Sequence, residues 1–165
     1  MEQTDVMPKV IKAEAVSEFL GRVNLRKWDN RFLEMAYLVG SWSKDPSTKV
    51  GAVIVRPEGT VVSVGFNGFP KGIKDTDERL NNKSWKYAVV IHSEENALAF
   101  ANGSCRECTV YTHPIIPCPR CAAKLIQAGV KRVVSLKNGR LCAAGMELDL
   151  SRQLFREAGV KLDEI

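Results

Sequence analysis

His92 and Glu94 in the run HSEENAL, and Pro117, Cys118 and Cys121 in the run PCPRC, each lead into an apolar-periodic stretch. One imidazole and two thiols supply three ligands for zinc and leave the fourth tetrahedral position to water, the coordination of a catalytic metal rather than a structural one. Glu94 is then spare, and free to move protons. The pattern requires a fold that brings two helix starts, distant in sequence, to one metal.

Each residue type suits its place. Cys118 and Cys121 open the stretch Ala122, Leu125, Ile126, so both fall on one face of a first helical turn. The positive end of the helix dipole and a bound metal both lower a thiol's pKa, so the two would ligate as thiolates. Glu94 lies two residues after His92, near the start of the stretch Ala97, Leu98, Phe100, Ala101. At that offset it points away from the ligand direction and can serve as a general acid and base.

The rest of the chain reads as a single compact domain. Its 165 residues are 45% apolar, enough for one good core. No run of 18 apolar residues occurs and the N-terminus lacks a signal-peptide layout, so a soluble, cytoplasmic protein without membrane contact is expected. Five cysteines, two of them assigned to metal, make no disulfide framework and fit a reducing compartment. Cys105 and Cys108 form a second C-x-x-C without a histidine pair beside it, and Cys142 reads as a free thiol. The net charge of +5 suits an anionic partner. The basic stretch from Lys131 to Arg140 has no interleaved aromatics to stack bases, so no nucleic acid is expected.

Residues 1–26 match no motif, with Ala13–Leu20 weakly helical, and read as an N-terminal extension or a packing helix; 27–165 form the domain proper. Trp28, Phe32, Met35, Ala36, Val39 and Trp42 recur at helical spacing up to the Lys44-Asp45-Pro46 turn. Val50–Val55 and Val61–Val64 read as antiparallel strands about a Pro57-Glu58-Gly59 turn. The polar segment from Gly65 to Lys86 reads as a long functional loop. Then come the His92 helix, a strand at Thr109–Thr112, the Cys118 helix stopped by Gly129, a strand at Arg132–Leu136, a helix from about Leu148 to Ala158 and a last short strand. This order implies an α/β fold, a mixed central sheet of about five strands with helices on both faces. Ser47, Thr48 and Lys49 sit at a strand entry, where two hydroxyls and an ammonium suit a phosphate.

H-x-E followed by P-C-x-x-C is the signature of zinc nucleobase deaminases. The blocks WSKDPSTKVGAVIV (Trp42–Val55), VGFNGFPKG (Val64–Gly72), KYAVVIHSEENAL (Lys86–Leu98) and CTVYTHPIIPCPRCAAKLIQAGVKRVV (Cys108–Val134) resemble consecutive blocks of the deoxycytidylate (dCMP) deaminase family, over most of 28–165. The resemblance implies the three-layer cytidine-deaminase architecture, one catalytic Zn²⁺ on His92, Cys118 and Cys121, Glu94 as proton carrier, and hydrolysis of dCMP to dUMP. It also implies that Asn67 contacts the deoxyribose, that the Ile116 carbonyl accepts from the exocyclic amine, and that Lys86 and Tyr87 close the phosphate end. By kinship alone the chain would form a homohexamer, activated by dCTP and inhibited by dTTP, with Mg²⁺ accompanying either effector. Two departures stand out: the usual HAE reads His92-Ser93-Glu94, and His113 replaces a common threonine on the loop expected to face the base. Competing readings are a deaminase of a 5-modified dCMP, a deaminase of tRNA or other nucleic acid, and a zinc-stabilised binding module. The last leaves Glu94 without a purpose.

Overall fold

The computed structural model describes residues 27–137 and 147–165. The expected extension at 1–26, with its weak helix, and Cys142 lie outside the described residues. Within them the order is α1 (Lys27–Ser41), β1 (Gly51–Val55), β2 (Val61–Phe66), α2 (Asp77–Asn81), α3 (Lys83–Val89), α4 (Ser93–Ala99), β3 (Thr109–His113), α5 (Pro119–Gln127), β4 (Arg132–Ser135), α6 (Leu148–Glu157) and β5 (Lys161–Glu164). No described helix is long and apolar enough to cross a membrane.

The five strands make one mixed sheet in the order β2-β1-β3-β4-β5. β1 pairs antiparallel with both β2 and β3, and the β3–β4 and β4–β5 pairs are parallel. Alternation along the central strands divides the core into two layers of side chains. Val53 and Val55 of β1, Tyr111 of β3 and Val134 of β4 pack with Phe32, Leu33 and Ala36 of α1. Ala52, Ile54, Val110 and Val133 point the other way, onto Ala97 of α4, Ala122 and Leu125 of α5 and Phe155 of α6. Helices cover both faces, as the element order predicts.

β1 is buried at all five positions, so it reads as a continuous apolar run. β2 lies at the sheet edge and buries only Ser63 and Gly65, both toward α4. There the Ser63 hydroxyl donates to the Ala97 carbonyl (2.6 Å). A Cβ on Gly65 would lie 2.3 Å from the Ser93 carbonyl oxygen and 2.4 Å from the Ala97 nitrogen, so only glycine lets the helix sit this close.

The segment expected as a loop between Gly65 and Lys86 instead holds α2 and extends into α3. Neither helix shows an apolar stripe, and α2 buries nothing. Their starts are set by caps: Thr76 Oγ1 accepts from the Arg79 N–H (3.4 Å) and Asn82 Oδ1 from the Trp85 N–H (3.1 Å). Periodicity misses such helices, whereas Thr76-Asp77-Glu78 and Asn82 are legible as caps.

Candidate active site

α4 and α5 start side by side. His92 is the N-cap of α4 and Cys118 that of α5, with Pro119 at the first helical position, where its missing N–H costs nothing. This places His92 Nδ1 3.4 Å from both Cys118 Sγ and Cys121 Sγ, and all three donor atoms lie within 4.8 Å of one another. Zinc–nitrogen and zinc–sulfur bonds in a tetrahedron put imidazole and thiolate donors about 3.6 Å apart. The three residues therefore fit a zinc ion in spacing and in donor chemistry, and two of the three keep some solvent exposure.

The electrostatics agree. A hydrogen bond from the Cys121 thiol, reinforced by His92, pulls the Cys118 thiol down to about 4. Cys121 is pushed up because it supplies that bond and is buried. Glu94 is 4% exposed, and burial raises its carboxyl above the usual range. Its Oε2 accepts from the Ser93 hydroxyl (2.8 Å), a contact that the alanine usual in the family cannot make.

His92, Ser93, Glu94 and Cys118 open onto a cavity that Val50, Val90, Ile115 and Ile116 line with apolar surface. Asp45, Ser47, Thr48, Asn67, Lys86 and Tyr87 complete its wall. Lys86 is 2% exposed, with Nζ donating to Asp45 Oδ1 (3.1 Å) and Ser47 Oγ (3.3 Å). The same carboxylate oxygen accepts from the backbone N–H groups of Ser47 (2.7 Å) and Thr48 (3.3 Å), closing an Asx turn. Asn67 is buried; its Oδ1 accepts from the Val50 N–H (2.8 Å) and its Nδ2 donates to the Thr48 carbonyl (2.9 Å). It thereby braces the Ser47–Val50 wall. Tyr87 lines the cavity while remaining largely exposed.

Two expected contacts are not among the residues brought to this cavity. Lys49 is exposed, and its ammonium donates to the Ser41 carbonyl at the end of α1 (3.3 Å). His113 shares strand parity with Tyr111, so its ring stands on the α1 face, edge-on to Tyr37 with centroids 5.0 Å apart. Conversely, Asp45 reads in sequence only as part of a helix-ending turn, although Asp-Pro-Ser is an Asx-turn signature that points to its backbone contacts.

Burial of His113 carries a measurable consequence, because it lowers the imidazole to about 4. The folded protein keeps this ring neutral while the unfolded chain protonates it near its usual value of about 6.5. The resulting stability is fully present above that value and is lost as pH falls toward 4. Between pH 7 and pH 5, wild type should lose about 1–2 kcal/mol that a His113→Asn variant does not lose, allowing for the ring's partial exposure. Urea unfolding at the two pH values tests this, and equal losses in both proteins would refute it.

The family described as the cytidine and deoxycytidylate deaminase zinc-binding region matches residues 26–137, a stretch that contains all three metal-ligand candidates and Glu94. The chain belongs to this family. Among curated members, it is 46% identical over 144 residues to a protein of Aliivibrio fischeri named "Uncharacterized deaminase in luxG 3'region", covering 84% of this chain and 93% of the relative. It is 36% identical over 142 residues to the deoxycytidylate deaminase of Homo sapiens, covering 81% and 77%. Its fold is shared with the dCMP deaminase of cyanophage S-TIM5, solved in complex with dCMP and dUMP: TM-score 0.69, 24% identity, 86% of this chain and 98% of that one. Membership in the deaminase family makes the protein a zinc-binding enzyme of hydrolytic deamination.

Proposed function

We propose that this protein hydrolyses dCMP to dUMP and ammonia, supplying dUMP for thymidylate synthesis. The observation that carries the reading is the assembly of His92, Cys118 and Cys121 beside a buried Glu94, in a cavity that also holds the buried ammonium of Lys86. Zinc held by the three ligands would supply a Lewis acid, making hydroxide available near neutral pH. Glu94 takes one proton from the attacking water and delivers it to N3 of the cytosine, then takes the second from the hydroxyl left on C4 and delivers it to the departing amine. The C4–N bond breaks, a C4 carbonyl forms, and ammonia leaves. Ile116 presents its carbonyl to the amine, and the apolar lining excludes competing water from the ring. Asn67 serves the deoxyribose, while Lys86, Ser47 and Thr48 serve the phosphate and Tyr87 covers it. In this reading Lys49 acts on the phosphate only at long range and His113 acts through packing.

The domain runs over 27–165, with 1–26 as an extension. The enzyme is cytoplasmic and homohexameric, with dCTP activating and dTTP inhibiting, Mg²⁺ accompanying either nucleotide. Ultraviolet-monitored deamination of dCMP, CMP, 5-methyl-dCMP, deoxycytidine and oligonucleotides, with and without dCTP, tests the substrate and the regulation together. Preference for 5-methyl-dCMP or an oligonucleotide over dCMP would replace this reading with one of its competitors.

Among the described residues, Lys86 is the one lysine or arginine lining the cavity, so a phosphate preference should depend on it. Removing it alone would strand the Asp45 charge, at a cost unrelated to substrate. The informative variant is therefore Lys86→Met with Asp45→Asn, which keeps acceptors for the Ser47 and Thr48 N–H groups. Loss of a charged hydrogen bond should lower kcat/KM for dCMP roughly tenfold to a hundredfold. The value for deoxycytidine should change little. Equal losses on both substrates, or equal wild-type kcat/KM for both, would remove Lys86 from phosphate recognition.

A further inference from the structure

The ligand set is split between two elements: His92 at the start of α4, and Cys118 and Cys121 at the start of α5, 26 and 29 residues later. Glu95 joins them. Its Oε2 accepts from the backbone N–H of His92 itself (2.9 Å) and from Arg120 (3.0 Å), and its Oε1 accepts from Lys124. Arg120 lies between the two cysteines, and Lys124 follows one turn later on the same helix. The carboxylate is 10% exposed, against 56% and 51% for its two cationic partners.

We propose that Glu95 is a positioning residue of the metal centre, tying the backbone of His92 to the helix that carries Cys118 and Cys121 so that the three donors stand assembled before zinc binds. The inference rests on the zinc reading of that set, and reaches beyond it to a residue that touches neither metal nor substrate. The carboxylate sits on the inner side of the tie, where it shares an oxygen between a ligand's main chain and the opposite helix. Ordinary surface ion pairs lack that geometry and contribute little. Partners that orient metal ligands typically govern metal affinity over a range of about tenfold to a hundredfold.

The sign of the effect separates positioning from bulk electrostatics. Arg120→Gln with Lys124→Gln removes two positive charges near a cation site, so long-range Coulomb forces alone would tighten zinc. Loss of the tie loosens it. Zinc transfer from the full-length protein to a chromophoric chelator should show apparent affinity weakened about tenfold to a hundredfold in this double variant. The melting temperature of the zinc-free form should change little, since both side chains are half exposed. Glu95→Gln, which also weakens the bond to the His92 N–H, should lose at least as much. Unchanged or tighter zinc in the Arg120→Gln/Lys124→Gln protein overturns the proposal, even if Glu95→Gln proves too unstable to measure. A wild type that takes up no zinc overturns the metal reading beneath it, and the chelator assay distinguishes the two failures.

Discussion

Glu94→Gln should retain one zinc per chain and still bind dCMP, while its turnover falls at least about a hundredfold. General acid and base groups contribute roughly a hundred- to ten-thousandfold. Glutamine keeps the shape, and its amide can still meet the Ser93 hydroxyl that holds Glu94 in place, but it cannot accept and release a proton at these pH values. The three metal donors cluster without Glu94, so the ion has no reason to leave. Metal analysis, equilibrium binding and turnover of the same preparation check the three parts. Loss of zinc would make Glu94 a ligand and the site closed; full activity with full zinc would abolish its role as proton carrier.

Gly65→Ala should be nearly as damaging, through geometry alone. The atoms its Cβ would strike are main-chain atoms of Ser93 and Ala97, which no rotamer change can move aside. α4 would have to shift as a body, carrying His92 and Glu94 away from the cysteines. Overpacking of this kind costs typically 1–3 kcal/mol, roughly, and here the strain falls on the metal site. Gly68→Ala is the matched control, because a Cβ there meets nothing within 4 Å. The expected result is a lower melting temperature and substoichiometric zinc for Gly65→Ala, with Gly68→Ala near wild type. Wild-type zinc content and stability in both would show that α4 does not depend on that approach.

Much of the layer arrangement was legible because it follows from alternation and from caps. The apolar run of β1 and the helical stripe of α1 are strong periodic signals, and Gly129, with φ +81°, ends α5 where expected. The His92, Cys118 and Cys121 group was legible because few side chains can hold zinc and their spacing places them at helix starts. What was missed depends on packing. Lys86 is assigned to the phosphate end by resemblance alone, and its burial against Asp45 and Ser47 is visible only in the fold. His113 reads as a loop residue until the strand is found to extend through it, after which parity with Tyr111 decides its face. Glu95 looks like one more solvated charge on a helix, since its partners lie 25 and 29 residues away on α5.

The sheet order also dictates when a metal can be captured. β3 lies between β1 and β4, and it separates α4 from α5 along the chain. During synthesis the β1–β2 hairpin and the His92 helix emerge first, and nothing in that portion can hold zinc with more than one of the three ligands. The site closes only when β3 has docked against β1 and the chain has continued through Cys121. Such long-range pairing is slow compared with helix formation. A chain that ends before Cys121 lacks at least one of the three donors, so a complete metal site requires both the addition of α5 and the pairing of β3 with β1.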